Sequence, residues 1–481
     1  MKPNTSVTRT LQRLFLLTAP AVLIAGCTMG PQYKQPTAPV PQIFRDQIGP
    51  ADAASIADLP WWSVFNDPPL QALVTEGLHN NYDLQIAVSR IEQARDIVAQ
   101  AQSQGAPQIG YNLGAAGQEN IVAGQNSAVS ATYGTFGGLI NAAWEFDIWG
   151  RIKRSTEAAQ ANLLGQEDVR RGVMLTLVTD IAAGYFRLLE LDRELVIAQD
   201  SVASFDKSLD LFNDRYKAGK DSDLPVQRSQ ALYQSAQANV AILQRLIHQQ
   251  ENALCVLVGR DPGPIERGRL LTEQTTPASP VGETTALLKR RPDILAAEQT
   301  MVNANAEIGV ALANFYPKIG LSALVGGDGV TFGSGVQGFG VWGLALSAAG
   351  PIFTGGRLQA EYHQRQAFWD ETVAEYRKTI LTAFQETSDA LIAEQTLVGQ
   401  RHRLEAQIAA LQQSVSLAKL RYDNGRASYF EVLEAQQQLY PAEYQLAQTQ
   451  RDQLLAVVSL YKALGGGWNL QDGAWAKPQA G

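Results

Sequence analysis

The 481-residue sequence is poor in reactive side chains: two cysteines, four histidines and four methionines. Two cysteines exclude a disulfide framework, and neither a CxxC pair nor an HExxH motif is present. His79, His248, His363 and His402 are scattered, which leaves little for metal or acid–base chemistry. Charged residues make up 18%, below the ~25% usual for globular domains. There is no basic excess either. Lys and Arg number 39 against 47 Asp and Glu, and a net charge of −8 excludes nucleic-acid binding through a basic face. Proline is missing from residues 70–106, 151–214 and 357–420. The absences argue against an enzyme and leave long, uninterrupted helices as the dominant element.

The N-terminus reads as an address. Lys2, Arg9 and Arg13 precede an apolar run, Leu14–Ala25, of about 12 residues, too short to span a bilayer but right for a secretory signal. It ends Leu23-Ile24-Ala25-Gly26-Cys27, resembling a bacterial lipobox. On that reading residues 1–26 are removed and Cys27 receives a diacylglyceryl and an N-acyl group; no other cofactor is expected. An ordinary signal peptide with an incidental cysteine is the alternative. Thr28 follows where Asp would retain the protein at the inner membrane, so the outer membrane is favoured. Loss of the three basic residues takes the net charge from −8 to −11. Cys255 then has no partner and reads as a small buried hydrophobe.

Internal repeats set the architecture. Gly150-Arg151 recurs as Gly356-Arg357, Arg215-Tyr216-x-x-Gly219 as Arg421-Tyr422-x-x-Gly425, and Gly259 as Gly465, all at an offset of 206 residues. Upstream, Asp83, Ala87, Pro107 and Gly110 recur at an offset of 210 as Asp293, Ala297, Pro317 and Gly320. The chain is a tandem duplication, repeat 1 over 68–265 and repeat 2 over 280–467. An extended segment (27–67) leads in and a tail (468–481) leads out. Residues 70–106 read as one helix. Residues 151–214 and 357–420 read as helices of 64 residues, about 96 Å each. Shorter third helices follow at 226–258 and 432–464. Elements so long imply a coiled coil or bundle, with two short helices stacked end to end along each long one.

Between the first and second helix of each repeat the composition changes. Residues 105–150 and 317–356 hold 21 of the 41 glycines, where an even spread would put about seven. Here the period is two. Ile109, Tyr111, Leu113 and Ala115 alternate with small or polar residues, and Phe136, Ile140, Ala142, Trp144, Phe146 and Ile148 alternate against Asn141, Glu145 and Asp147. Ile319, Leu321, Ala323 and Val325 repeat the pattern, as do Trp342, Leu344 and Leu346. The expected strands are about 107–117, 134–149, 317–327 and 336–351. Weak alternation of this kind fits membrane β-strands, with Trp144, Trp149 and Trp342 as an interfacial girdle; a soluble hairpin inserted twice fits it too. Four strands cannot close a membrane barrel, so a spanning sheet requires an oligomer, and three copies give twelve strands.

The sequence resembles outer-membrane efflux proteins of the TolC family, in the NodT-type lipoprotein branch. The resemblance rests on Gly30-Pro31-x-Tyr33-x-x-Pro36 after Cys27, on Trp61-Trp62-x-x-Phe65-x-Asp67-Pro68-x-Leu70 and on Trp144-Glu145-Phe146-Asp147-x-x-Gly150-Arg151. It continues through Arg290-Arg291-Pro292-Asp293-Ile294, Phe315-Tyr316-Pro317 and Pro351-Ile352-Phe353-x-Gly355-Gly356-Arg357. It implies a mainly α fold with membrane β: coiled-coil helices forming a periplasmic α-barrel, and four strands per chain closing a 12-stranded barrel in a homotrimer. It implies an exit duct for small molecules or drugs. The partners implied are a periplasmic adaptor (membrane fusion protein), an inner-membrane resistance-nodulation-division transporter and outer-membrane lipid, with no nucleic acid. The exit of a type I protein secretion system is a second reading, and a periplasmic adaptor or structural lipoprotein a third. Gly338-x-Gly340-x-x-Gly343 matches a dinucleotide fingerprint only by pattern, inside an expected strand with no helix after it.

Gly219 and Gly425 fit left-handed C-caps of the long helices. Ser428-x-x-Glu431 reads as a capping box opening the next helix. By resemblance this end is the periplasmic tip, where Arg215, Tyr216, Gly219, Arg421, Tyr422 and Gly425 would serve docking. Glu431 and Glu434 would narrow the channel there, Glu431 reading equally well as a cap and Glu434 as a solvated helix charge. Repeat 1 departs from the pattern, with Pro225 at an acidic position and Asp221 and Asp223 just before it. Arg215 and Arg421 are candidate tethers that hold the tip shut, and they also suit a helix C-terminus.

Overall fold

The computed structural model describes residues 28–47, 55–64, 66–123, 128–277, 279–332 and 335–466. Cys27 and the tail lie outside them. The long elements in chain order are α1 (Pro68–Asn80), α2 (Tyr82–Ser103), β1 (Gln108–Ala123), β2 (Ala128–Phe146), α3 (Arg151–Lys217) and α4 (Asp223–Val258). The second repeat supplies α5 (Pro292–Ala313), β3 (Lys318–Phe332), β4 (Gly335–Ala349), α6 (Arg357–Asp423) and α7 (Tyr429–Ala463). Both long helices have 67 residues, three more than the sequence reading gave. The residues fall into two compact units. One takes the chain up to Thr37, Arg90–Gln166 and Ala296–Tyr376; the other takes Ala38–Ser89, Glu167–Leu295 and the chain from Arg377 on.

The first unit holds the sheet. Its order is β1-β2-β3-β4, every pair antiparallel. The strands have 16, 19, 15 and 15 residues. They run past the expected ends at 117 and 327, because ladder pairing continues through Gln118↔Tyr133 and Thr331↔Val336, where the apolar alternation has stopped. Register puts Tyr111, Ile140, Val325 and Trp342 in one row across all four strands. That face carries eleven of the sheet's exposed large hydrophobics, among them Leu113, Phe136 and Leu346, against two (Leu324, Phe339) on the other. The second face presents Asn112, Asn141, Glu145, Ser322, Asp328 and Ser347. One apolar and one polar face is the pattern of a membrane barrel wall. Among the described residues, β1 and β4 each keep one edge without a partner strand.

The tryptophans divide. Trp144 donates from Nε1 to the Gly105 carbonyl at 2.9 Å, and Trp149 donates to Pro317 at 2.8 Å and stacks on Tyr316, both at the helix end of the sheet. Trp342 lies in the middle of β4, so it belongs to the apolar band rather than to a girdle. Asp147, expected to alternate within the strand, instead caps α3: its carboxylate accepts from the Ile152 and Lys153 N–H groups at 3.0 and 2.8 Å.

The residues after Cys27 dock on this unit. Met29 N–H donates to the Trp149 carbonyl at 3.0 Å. Arg154, buried on α3, gives its guanidinium to the carbonyls of Met29, Gly30 and Pro31, and Asn305 also donates to Pro31. Gly30 has φ +89°, and a Cβ there would lie 2.6 Å from the Gly309 Cα, so the close crossing requires glycine.

In the second unit the expected single helix over 70–106 is two. Asn81 breaks it: its N–H closes α1 on the Gly77 carbonyl, and its side-chain oxygen accepts from Leu84 N–H to open α2. Its amide also donates to Leu257 at 2.9 Å, so the break is held from outside. Around it lies a core of Leu70, Val74, Ile181, Tyr185, Leu254, Val457 and Tyr461. Several buried charges here have partners. Asp67 accepts from Tyr185 and Gln274. Arg291 bonds Asp293, Glu386 and the Ala463 carbonyl, clamping the end of α7. Glu190 is fully buried between Arg187 and Arg451, and burial pushes its carboxyl up against the pull of the two guanidinium groups.

Candidate functional site

The two hairpins that carry the duplicated Arg-Tyr-x-x-Gly motif end in the same backbone device. Gly219 has φ +69° and Gly425 has φ +67°. Gly219 N–H donates to Tyr216 and Lys220 N–H to Arg215; Gly425 and Arg426 repeat this on Tyr422 and Arg421, all at 2.8–2.9 Å. This is the Schellman arrangement, and it reverses the chain after each long helix at no side-chain cost. Pro225, three residues into α4, is tolerated because first-turn N–H groups have no helical partner anyway.

The side chains do not repeat. Arg215 donates from Nε to Asp221 in its own hairpin and from Nη1 to the Tyr422 hydroxyl at 3.2 Å, so it ties repeat 1 to repeat 2. These contacts raise its pKa, the Asp221 bond first, and the guanidinium stays charged. Tyr422 packs edge-on against Tyr429, at 4.9 Å between centroids, and Tyr429 meets Phe212 and shares a 2.9 Å hydrogen bond with Ser208. Below lies a small core of Phe205, Leu209, Phe212, Val226, Ala236 and Leu433. Each hairpin is therefore packed on the other.

Arg421 makes a different contact, donating to Glu431 at 2.8 Å across its own hairpin. The expected capping box is not formed. Ser428 is the N-cap but makes no side-chain cap bond, and the Glu431 carboxylate is taken up by Arg421 instead. A full ion pair outcompetes a neutral N–H for the same acceptor. Glu434, one turn on, is exposed and has no partner among the described residues. Asp223 is exposed and accepts from Gln227 within α4. Tyr216 is half exposed, and Leu224, Leu420 and Phe430 are more so, giving the tip an apolar fringe.

Sequence reasoning missed two residues. Arg228 stands where the 206-residue offset places it opposite Glu434, and its guanidinium lies 5.7 Å from the Phe430 ring centroid. The offset alone could have found it. Arg154, which seats the N-terminal segment, had no local signal.

The described side chains of the two hairpins are held by ion pairs and aromatic packing. Comparison with known proteins agrees with a transport role. The family model for outer membrane efflux proteins matches residues 73–260 and 285–466. The chain belongs to that family. It is 34% identical over 464 residues to the toluene efflux pump outer membrane protein TtgI of Pseudomonas putida, covering 93% of this chain and 97% of the relative. It is 33% identical to the outer membrane protein OprJ of Pseudomonas aeruginosa, covering 93% and 95%. Among solved structures, the open state of the Neisseria gonorrhoeae MtrE outer membrane channel superposes with a TM-score of 0.79 at 30% identity, over 92% of this chain and 98% of that one. This efflux protein is therefore an outer-membrane channel, and the adaptor reading of the sequence is set aside.

Proposed function

We propose that the chain works as a homotrimeric, passive exit duct for small organic molecules, joined at its helical tip to a periplasmic adaptor and, through it, to an inner-membrane resistance-nodulation-division transporter. The observation that carries this is the sheet: four strands with an apolar outer face and two unpaired edges. In lipid an open strand edge leaves N–H and C=O groups without partners, at several kcal/mol each, so β1 of one copy must pair with β4 of the next. Twelve strands from three copies make a closed barrel. With Asp221 and Glu431 taken up by Arg215 and Arg421, Glu434 and Asp223 are the candidate acids left to line the narrowing, and the Arg215–Tyr422 bond holds the two hairpins together. Lipidation at Cys27 fits the docking of Met29 beside Trp149, at the end of β2, which keeps an acyl chain close to the bilayer.

Mass measurement of the detergent-solubilised protein tests the assembly. Three copies per particle are expected; a stable monomer would refute the barrel. Crosslinking from the tip, at Tyr216 or Leu420, to a co-expressed adaptor tests the docking.

A further inference from the structure

The polar face of the sheet carries a charge pattern that an unselective duct does not need. Among the described strand residues three charged side chains lie on it: Glu145, Lys318 and Asp328. Glu145 is neutralised by Arg151, which donates from Nε and Nη2 to its two oxygens at 3.1 Å. Lys318 and Asp328 have no partner among the described residues. Lys318 opens β3 at the helix end, beside a concavity of about 520 Å³ that it lines with Gln104, Gln108, Arg151 and Ser347. Asp328 lies ten residues further along the same strand, about 33 Å at 3.3 Å per residue. At a ~40° tilt that is about 25 Å along a barrel axis. It sits over Gly137, where a Cβ would collide with its carboxylate at 1.9 Å, so the glycine makes room for the charge.

We propose that Lys318 and Asp328 set the ionic selectivity of the barrel, as a positive ring at the periplasmic mouth and a negative ring toward the outer mouth. The proposal rests on the trimeric channel reading. Twelve strands about 4.8 Å apart at ~40° tilt close at a backbone radius of about 12 Å. Lining side chains leave an open radius of roughly 7 Å, close to the Debye length of about 8 Å at 0.15 M salt. Fixed charge at the wall therefore acts on the axis in dilute salt and fades in 1 M salt, where the Debye length is about 3 Å. A small organic anion leaving the helical part meets an attractive ring first and a repulsive one last, and a cation meets the reverse. The two rings together make the conductance rectify.

The experiment is reversal potential in planar bilayers, with the purified full-length protein and a tenfold KCl gradient. Lys318→Gln is expected to shift the potential toward K⁺ and Asp328→Asn toward Cl⁻, each by at least about twofold in permeability ratio in dilute salt. Neither shift should survive a gradient centred near 1 M. Lys318→Arg and Asp328→Glu, which keep the charge, should hold the wild-type potential. Channels that open normally but keep one reversal potential in both neutral variants overturn the proposal, as does an equal shift in the charge-retaining pair. Absence of any channel from the wild-type protein would instead overturn the exit-duct reading beneath it.

Discussion

Replacing Ile140 by Arg and, separately, its neighbour Asn141 by Arg puts the same charge on opposite faces of β2. Ile140 is 55% exposed on the apolar face and lies six residues from the helix-side end of its strand, Phe146. Six residues span about 20 Å along the strand, or about 15 Å along the axis at ~40° tilt. A hydrocarbon-facing band about 25 Å tall has its middle near there, so the new guanidinium costs about 2–4 kcal/mol per chain and about 6–12 kcal/mol per trimer. Asn141 sits on the polar face, where its amide oxygen lies beside Gly110, and an Arg there reaches water. Ile140→Arg should strip most of the heat-modifiable, trimeric species from the outer-membrane fraction, whereas Asn141→Arg should leave it near wild type. Equal loss in both variants, or no loss at Ile140, would refute the assignment of faces and with it the barrel.

Glu434→Ala should raise single-channel conductance and weaken block by divalent cations, because in the proposed trimer it removes three unpaired acids from the tip; unchanged conductance and block would make Glu434 a solvated helix charge only. Glu431→Ala frees an exposed Arg421 and should cost no more than about 0.2–1 kcal/mol in thermal stability. Gly259→Ala should destabilise far more than Gly219→Ala, though both have positive φ: a Cβ at Gly259 lies 2.4 Å from the Asn80 carbonyl oxygen, while at Gly219 nothing lies within 4 Å. The backbone term, about 1 kcal/mol, is common to both, so equal melting temperatures in the two variants would defeat the steric argument. Cys27→Ser should abolish palmitate labelling while export persists, since a closed barrel holds itself in the membrane; undiminished labelling would end the lipoprotein assignment.

Where periodicity is local, the sequence was legible. The alternation of Tyr111, Ile140, Val325 and Trp342 with small or polar residues declares strands and sides without any knowledge of register, and the paired rows then fall on one face. Left-handed glycines after Tyr216 and Tyr422 were readable for the same reason, since a C-cap is decided within six residues. Contacts made at long range were not readable. Asn81 breaks a helix-favouring segment because Leu257, 176 residues away, accepts its amide. Arg154 reaches back more than 120 residues to the carbonyls of Gly30 and Pro31, and no spacing rule encodes that. The far end of β1 was missed because Gln118, Glu119 and Asn120 have poor strand character; there the partner strand supplies the order.

The tip shows why a duplicated motif does not imply a duplicated function. Arg215 and Arg421 occupy the same position on the same Schellman turn, yet the acids they pair with differ in sequence distance. Asp221 lies six residues after Arg215, while Glu431 lies ten after Arg421. The shorter reach leaves Arg215 with a free Nη1 to spend on Tyr422, which makes repeat 1 the tether and repeat 2 the tethered part. The position of Glu434 in repeat 2 is Arg228 in repeat 1, already drawn onto Phe430. At this position one repeat thus carries an unpaired acid and the other a cation held against an aromatic ring. Of the four candidate acids, Asp221 and Glu431 are taken up by arginines while Asp223 and Glu434 face no cation among the described residues, so the two repeats hold their acids by unlike contacts.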